Sequence, residues 1–268
     1  MIRFFSILVI GFKLAGAQSA STPSASTTAV SPDVLLESAG KRVEEFWEKF
    51  SAVACTETIT QAKLGNGDKV LAQRTSNFDY LVILQLAGDE LTVDESRLLQ
   101  GQPTKKASDR AMLNTDGFST LVLIFHPLFQ NSFQYTLGGT KELHGRNLQE
   151  IRFEHIPGHR SPTALQLRGR DYPIEWQGSA WIDLQTGNID HIAAGLKTSL
   201  EDVGLKKLSS EVQYAPIAFQ AEKEIAWLPQ VAVIEADTEH QHWRNTHMFS
   251  KYRKFSVTTD TKVDNPTE

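Results

Sequence analysis

Residues 178–190 read GSAWIDLQTGNID. Trp181, Ile182 and Asp183 close one extended run, Leu184–Asn188 supplies a tight turn through Thr186-Gly187, and Ile189 opens a run that returns. One hairpin is only local evidence, so the fold depends on whether its surroundings repeat the pattern. They do. Phe133–Leu137, Leu148–His155 and Thr163–Leu167 precede it as strands, and Ile189–Thr198, Leu208–Phe219, Trp227–Glu239 and His242–Thr258 follow at short intervals. Pro216 and Pro229 interrupt the late strands, which suits sheet edges or bulges.

Upstream, Thr56–Leu64, Val70–Thr75, Tyr80–Ala87 and Leu91–Leu98 continue the extended character, with turns at Gly65-Asn66-Gly67-Asp68 and Gly88-Asp89-Glu90. Two stretches break it. Asp33 caps a helix over 34–53, whose apolar stripe of Leu35, Leu36, Ala39, Val43, Phe46, Trp47 and Phe50 is interrupted by Gly40. A polar excursion over 101–116 leads into a second helix over Phe118–Phe129, stopped near Pro127. Repeating βαβ alternation is absent, which argues against a parallel sheet. The expected architecture is α+β: a strongly curved antiparallel sheet, an open half-barrel of about ten strands, wrapped over the N-terminal helix with the second short helix as a lid.

The chain has 268 residues, a formal charge of −5 and one cysteine, Cys55. That length can bury a core unaided, and the charge argues against coating nucleic acid. A lone cysteine excludes an internal disulfide framework. Residues 1–17, MIRFFSILVIGFKLAGA, carry Arg3, an apolar run too short to span a bilayer, and Ala15-Gly16-Ala17, an A-x-A cleavage pattern. They read as a signal peptide cleaved after Ala17, exporting the chain to the periplasm or beyond. Cleavage removes Arg3 and Lys13 and no acid. Residues 18–32 form a disordered Ser/Thr/Ala linker, 33–258 a single domain, and 259–268 a disordered tail. Cys55 lies beside Ala52, Val53 and Ala54 and reads as buried and inert rather than reactive.

No catalytic motif is present. G-x-S-x-G, H-E-x-x-H, GxxxxGK[ST] and G-x-G-x-x-G are all missing. His240 and His242 share a strand face, with His247 five residues on, but Glu239–His242 reads more simply as a turn, so neither metal nor cofactor is expected. HWRNTHMFSKYRK at 242–254 interleaves basic and aromatic residues. It reads as a strand with Trp243, Asn245, His247 and Phe249 on one face and Arg244, Thr246, Met248, Ser250, Tyr252 and Lys254 on the other, not as a nucleic-acid surface. A peripheral contact with anionic lipid is its functional version.

A cleaved leader, one amphipathic helix and about ten meandering strands together resemble the periplasmic lipoprotein-carrier superfamily, which includes LolA and the sensor domain of RseB. Gly178–Asp190 carries most of the likeness, with Leu228-Pro229 and Phe249–Phe255. The resemblance implies a curved sheet and helices that enclose an apolar cavity for acyl chains, without catalysis. It supplies no matched functional residue. By order along the chain, 101–116 and the helix after it correspond to lid elements.

The function expected is therefore non-enzymatic binding of an apolar ligand, a lipid or an acylated protein, on the concave side of the sheet. Strand alternation and the helix stripe nominate Phe46, Trp47, Phe50, Tyr80, Val82, Leu84, Trp181, Tyr214 and Phe249 as its lining. The alternative is an envelope module with a self-filled core that binds a protein partner. A hydrolase without a recognisable motif comes third.

Overall fold

The computed structural model describes residues 31–87, 90–100, 113–167, 170–220 and 223–254. The leader, most of the linker, the C-terminal tail, the turn at 88–89 and residues 101–112 of the polar excursion lie outside the described residues. The helix α1 spans Pro32–Phe50, with Ser31 as N-cap and Asp33 in the first turn, where a carboxylate favours the helix dipole. It stops earlier than expected because Val53 and Cys55 already alternate into β1 (Val53–Leu64) with their side chains buried. Gly40 is a contact rather than a blemish. A Cβ there would lie 2.8 Å from Nε2 of Gln130, which donates to the carbonyls of Leu36 and Phe125.

Val70–Thr75 and Tyr80–Ala87 are one strand, β2 (Val70–Ala87), followed by β3 (Glu90–Leu99). After residues 100–132 come β4 (Phe133–Leu143) and β5 (Arg146–His155), then a separate small hairpin of β6 (Ala164–Leu167) and β7 (Arg170–Pro173). The main sheet resumes with β8 (Trp176–Asp183), β9 (Ile189–Leu196), β10 (Leu205–Phe219), β11 (Glu224–Thr238) and β12 (His242–Lys254).

The hairpin at 178–190 is β8–turn–β9. Oδ1 of Asp183 accepts from the amides of Gln185 and Thr186 at 2.8 and 3.1 Å. Gly187 has φ +75°, and a Cβ on it would fall 2.2 Å from Oγ of Ser38 on α1. Arg42 of α1 donates to the Thr186 carbonyl at 2.7 Å. The turn thus positions the helix as well as reversing the chain.

The ten strands run β3-β2-β1-β12-β11-β10-β9-β8-β5-β4, with every named pair antiparallel. The sheet is open, as expected for a half-barrel. It is two meanders joined where the first strand pairs with the last. Consequently β3 and β4, successive in sequence, lie at opposite edges, about 40 Å apart along the sheet at ~4.8 Å per strand. Residues 113–130 of the connection between them cross the concave side, between α1 and the sheet.

The expected helix over Phe118–Phe129 splits within that connection. Phe118–Phe125 is a 3-10 helix, and Pro127–Gln130 forms the single-turn helix α2. Leu121, Val122, Leu123, Ile124 and Phe125 are each at most 3% exposed. An apolar segment with no hydrophilic face packs all round, so it sits as a plug between α1 and the sheet. The prolines fall where pairing is one-sided: β10 pairs with β9 only over 209–213, and β11 with β12 only over 231–237, leaving Pro216 and Pro229 on locally free edges. A register shift between Gln213 and Tyr214 adds the bulge.

Candidate functional site: the plugged concave face

Six of the nine nominated lining residues meet in the interior. Phe46 stacks on Phe50 at 5.0 Å between centroids and meets Tyr214 edge-on at 6.0 Å. Phe50 reaches Tyr80 at 6.4 Å, and Tyr80 reaches Phe249 at 5.4 Å. Val82 is fully buried beside this row. Trp47 is half-buried and faces His126 at the α2 end instead. The side chain of Leu84 lies outside the described residues.

Trp181 is a correction. The fully buried Ala180 and Ile182 flank it, so alternation turns its indole to the convex side. There Lys141 lies 3.9 Å over the ring and His191 stacks at 6.1 Å. Trp176 fills the interior instead. The expected lining was out of register on this strand. Tyr252 is a second correction. A bulge at Lys251, with φ +53°, breaks the alternation of β12, so Tyr252 leaves the outer face and donates to the Pro229 carbonyl at 2.5 Å. Burial pushes the thiol of Cys55, near Tyr252, up to about 12, with the charge of Glu57 adding to the shift.

The concave side is filled by the 3-10 plug and α1. An open groove of about 660 Å³ lies on the convex face between Glu150, Arg152 and Glu211, with Gly178, Ala193 and Ser209 in its floor.

What the sequence reading missed is how the plug is held. Residues 113–119, which lead into it and include its first turn, are tied down by side chains from four strands. Gln61 and Asn245 donate to the Leu113 carbonyl at 2.7 and 2.9 Å. The Thr115 hydroxyl meets Nε2 of His247 at 2.8 Å, and Nδ1 of His247 meets Glu57 at 2.7 Å. Arg97 forks onto Glu57 through Nε and Nη2 and ion-pairs with Asp116 through Nη1. Glu95 accepts from the Gly117 amide at 2.8 Å, and Tyr80 and Ser119 share a hydrogen bond at 2.8 Å. Glu57 and Asn245 are fully buried, and His247 is 2% exposed.

Two of these carboxylates are pushed in opposite directions. Burial would raise Glu57, but hydrogen bonds and charge from His247 and Arg97 outweigh it and hold Glu57 below the usual carboxylate range. Burial raises Glu95, and the pull of Arg97 and the Gly117 amide does not cancel it. The hydroxyl–imidazole–carboxylate order of Thr115, His247 and Glu57 is also the order of a nucleophilic triad. Here the Thr115 hydroxyl additionally meets Asn245 at 3.0 Å and Glu57 is forked by Arg97, so the chain of bonds works as a tether.

The three histidines considered for a metal part company. His247 points inward onto Glu57, while His242 lies 3.6 Å from Glu235 and His240 is exposed beside Glu239. Among the described residues no group of three or more His, Cys, Asp or Glu side chains could hold a metal ion.

This chain is similar to several solved structures. One is a LolA superfamily protein from Nitrosomonas europaea, at 11% identity and TM-score 0.42, covering 86% of this chain and 96% of that one. A DUF1329 family protein from Desulfovibrio piger gives 11% and 0.41, covering 85% and 95%. A putative outer membrane lipoprotein-sorting protein domain from Vibrio parahaemolyticus gives 10% and 0.40, covering 84% and 94%. No protein-family model and no curated protein matches the chain.

Proposed function

We propose that this is an exported, non-enzymatic binding protein whose concave face takes an apolar ligand, of the kind offered by lipid or lipoprotein acyl chains, when the plug withdraws. One observation carries the reading. The concave face is lined by Phe46, Phe50, Tyr80, Val82, Tyr214 and Phe249, and its cover is a crossing segment with no strand pairing of its own. A crossing segment held by packing and side-chain bonds can leave while the ten strands stay paired, whereas removing a strand would break a ladder on each side. Opening therefore needs only local rearrangement, the low-stability class of motion used by binding sites. A peripheral contact with anionic lipid has less support from β12, where Arg244, Arg253 and Lys254 are already paired with Glu235, Asp79 and Glu224.

The second reading, an envelope module that binds a protein partner through its surface, is favoured by the filled interior. Expression of the chain in a Gram-negative periplasm, followed by native mass spectrometry and lipid extraction, separates the two. A co-purifying acyl species at defined stoichiometry is the result expected, together with an N-terminus at Gln18. A clean apo mass with no uptake of added fatty acid would transfer the function to the surface module.

A further inference from the structure

The plug occupies the concave face as a ligand would, and its chemistry differs along its length. Phe118–Phe125 is apolar and, at ~2.0 Å rise per residue, about 16 Å long. Immediately before it the chain presents a carbonyl at Leu113, a hydroxyl at Thr115 and a carboxylate at Asp116 to polar side chains on β1, β3 and β12. The molecule thus holds in its own site one apolar tail joined to one polar, anionic head.

The partners of Arg97 show which part of that head is replaceable. Nε and Nη2 face Glu57, which is fully buried on β1 and fixed from its other side by His247. Nη2 also lies 2.8 Å from Glu95 on Arg97's own strand. Nη1 faces Asp116. Glu57 and Glu95 belong to the sheet and stay when the plug leaves, whereas Asp116 goes with it. Asp116 is also the exposed member, at 53% against 15% for Arg97 and 0% for Glu57. Withdrawal of 113–125 strips one carboxylate from a guanidinium that remains low in the wall, at the polar end of the aromatic row where Arg97 lies 5.0 Å over Tyr80. A planar carboxylate is the shape a guanidinium edge accepts.

Resting on the binding function proposed above, we infer that the ligand is a single acyl chain ending in a carboxylate, that Arg97 receives the carboxylate through the edge now given to Asp116, and that residues 113–125 are an internal competitor for the same place. The tail takes the path of Phe118–Phe125 and the head takes the place of Asp116. Asp116 sets the affinity from the protein side: its removal weakens the competitor and takes away a negative charge that repels an incoming head.

The test compares 11-(dansylamino)undecanoic acid with its primary amide, which has the same tail and a neutral head, by fluorescence titration of the full mature chain and of Asp116→Asn. The acid should bind at least tenfold more tightly than the amide, and Asp116→Asn should tighten both probes, the acid by a further threefold or more, because both gain from the weaker competitor and only the acid gains from the lost negative charge. Equal binding of acid and amide in both proteins leaves the concave site standing and overturns the role of Arg97. Binding of neither probe overturns the acyl-binding reading and this inference with it. Asp116 is exposed, so its substitution should leave the fold intact, and an unchanged thermal midpoint within a few degrees checks that.

Discussion

The two halves of the concave face hold the same crossing segment by different means. Over β1, β2, β3 and β12 the contact is polar: Glu57, Glu95, Arg97, Asn245 and His247 grip residues 113–119. Over the other half the contact is mainly dry, its hydrogen bonds being those between the hydroxyls of Tyr214 and Tyr135 and the backbone of Ser119, Val122 and Ile124. Phe125 meets Phe153 edge-on at 5.8 Å, and Ile151, Trp176, Ile182, Ile192 and Val212 are buried in the same half of the sheet. Dry packing is proportional to area and tolerant of detail, whereas a buried ion pair is favourable only with its full set of partners. The apolar half therefore supplies stability, and the polar half decides whether the segment is seated.

The comparison breaks most readily at Glu57. Glu57→Gln leaves Arg97 and His247 without their shared partner and should cost about 3–5 kcal/mol by urea unfolding, the range for breaking a buried pair from one side. In the dry half, Ile124→Ala should cost about 2–5 kcal/mol through lost burial and a residual cavity, with no dependence on salt or pH. A loss at Glu57 as small as that of an exposed pair would mean that the polar half is solvated and the contrast is wrong.

Thr115→Val keeps the shape but removes the hydroxyl from His247 and Asn245, and should cost about 1–3 kcal/mol. Its more telling readout is hydrogen exchange. Amides of 113–119 should lose protection while those of 121–125 keep theirs, showing that the grip can open before the plug leaves. Uniform loss along 113–125 would make the two halves one cooperative unit.

pH sharpens the contrast between the two carboxylates. Glu95 is raised in the folded state, so the native protein binds more protons than the unfolded chain as Glu95 titrates. Stability is fullest below the unfolded pKa and falls as pH rises through the folded one. Glu95→Gln removes that slope and should gain on the wild type as pH rises from the ordinary carboxylate range towards neutral. Glu57 is lowered, so its contribution is present above the unfolded pKa and lost as pH falls through the folded one. The deficit of Glu57→Gln should shrink in acid. Stability curves of the two variants that run parallel from pH 3 to 8 would contradict the opposed shifts. The smallest effect belongs to the convex face, where Lys141→Ala loses a contact over Trp181 and should cost no more than about 1 kcal/mol.

Much of this was legible in the chain. The alternation of Val53, Cys55 and Ile59, the stripe of α1 and the turn at 183–187 are local patterns, and each survives in the fold because secondary-structure period and burial agree there. A signal for the polar grip was present as well. Glu57 falls on the apolar parity of β1, Glu95 and Arg97 on that of β3, and Asn245 and His247 between Trp243 and Phe249 on β12. Polar residues on a buried parity must find partners inside. Which partners they find is not a local property.

The sequence by itself determined α1, most of the strands, the antiparallel class and the row from Phe46 to Phe249, because periodicity of 3.6 or 2 is set by backbone geometry within a few residues. Tertiary structure alone decided three things. Pairing of the first strand with the last brought Glu57 against His247, 190 residues apart. The bulge at Lys251 turned Tyr252 inward, since one extra residue inverts every side chain after it. And the separation of β3 from β4 sent an apolar segment across the concave face, so that the place expected for a ligand is held by the protein's own chain. Strand order is a choice among distant partners of similar pattern, made by the packing of the whole sheet, and no window of sequence contains it.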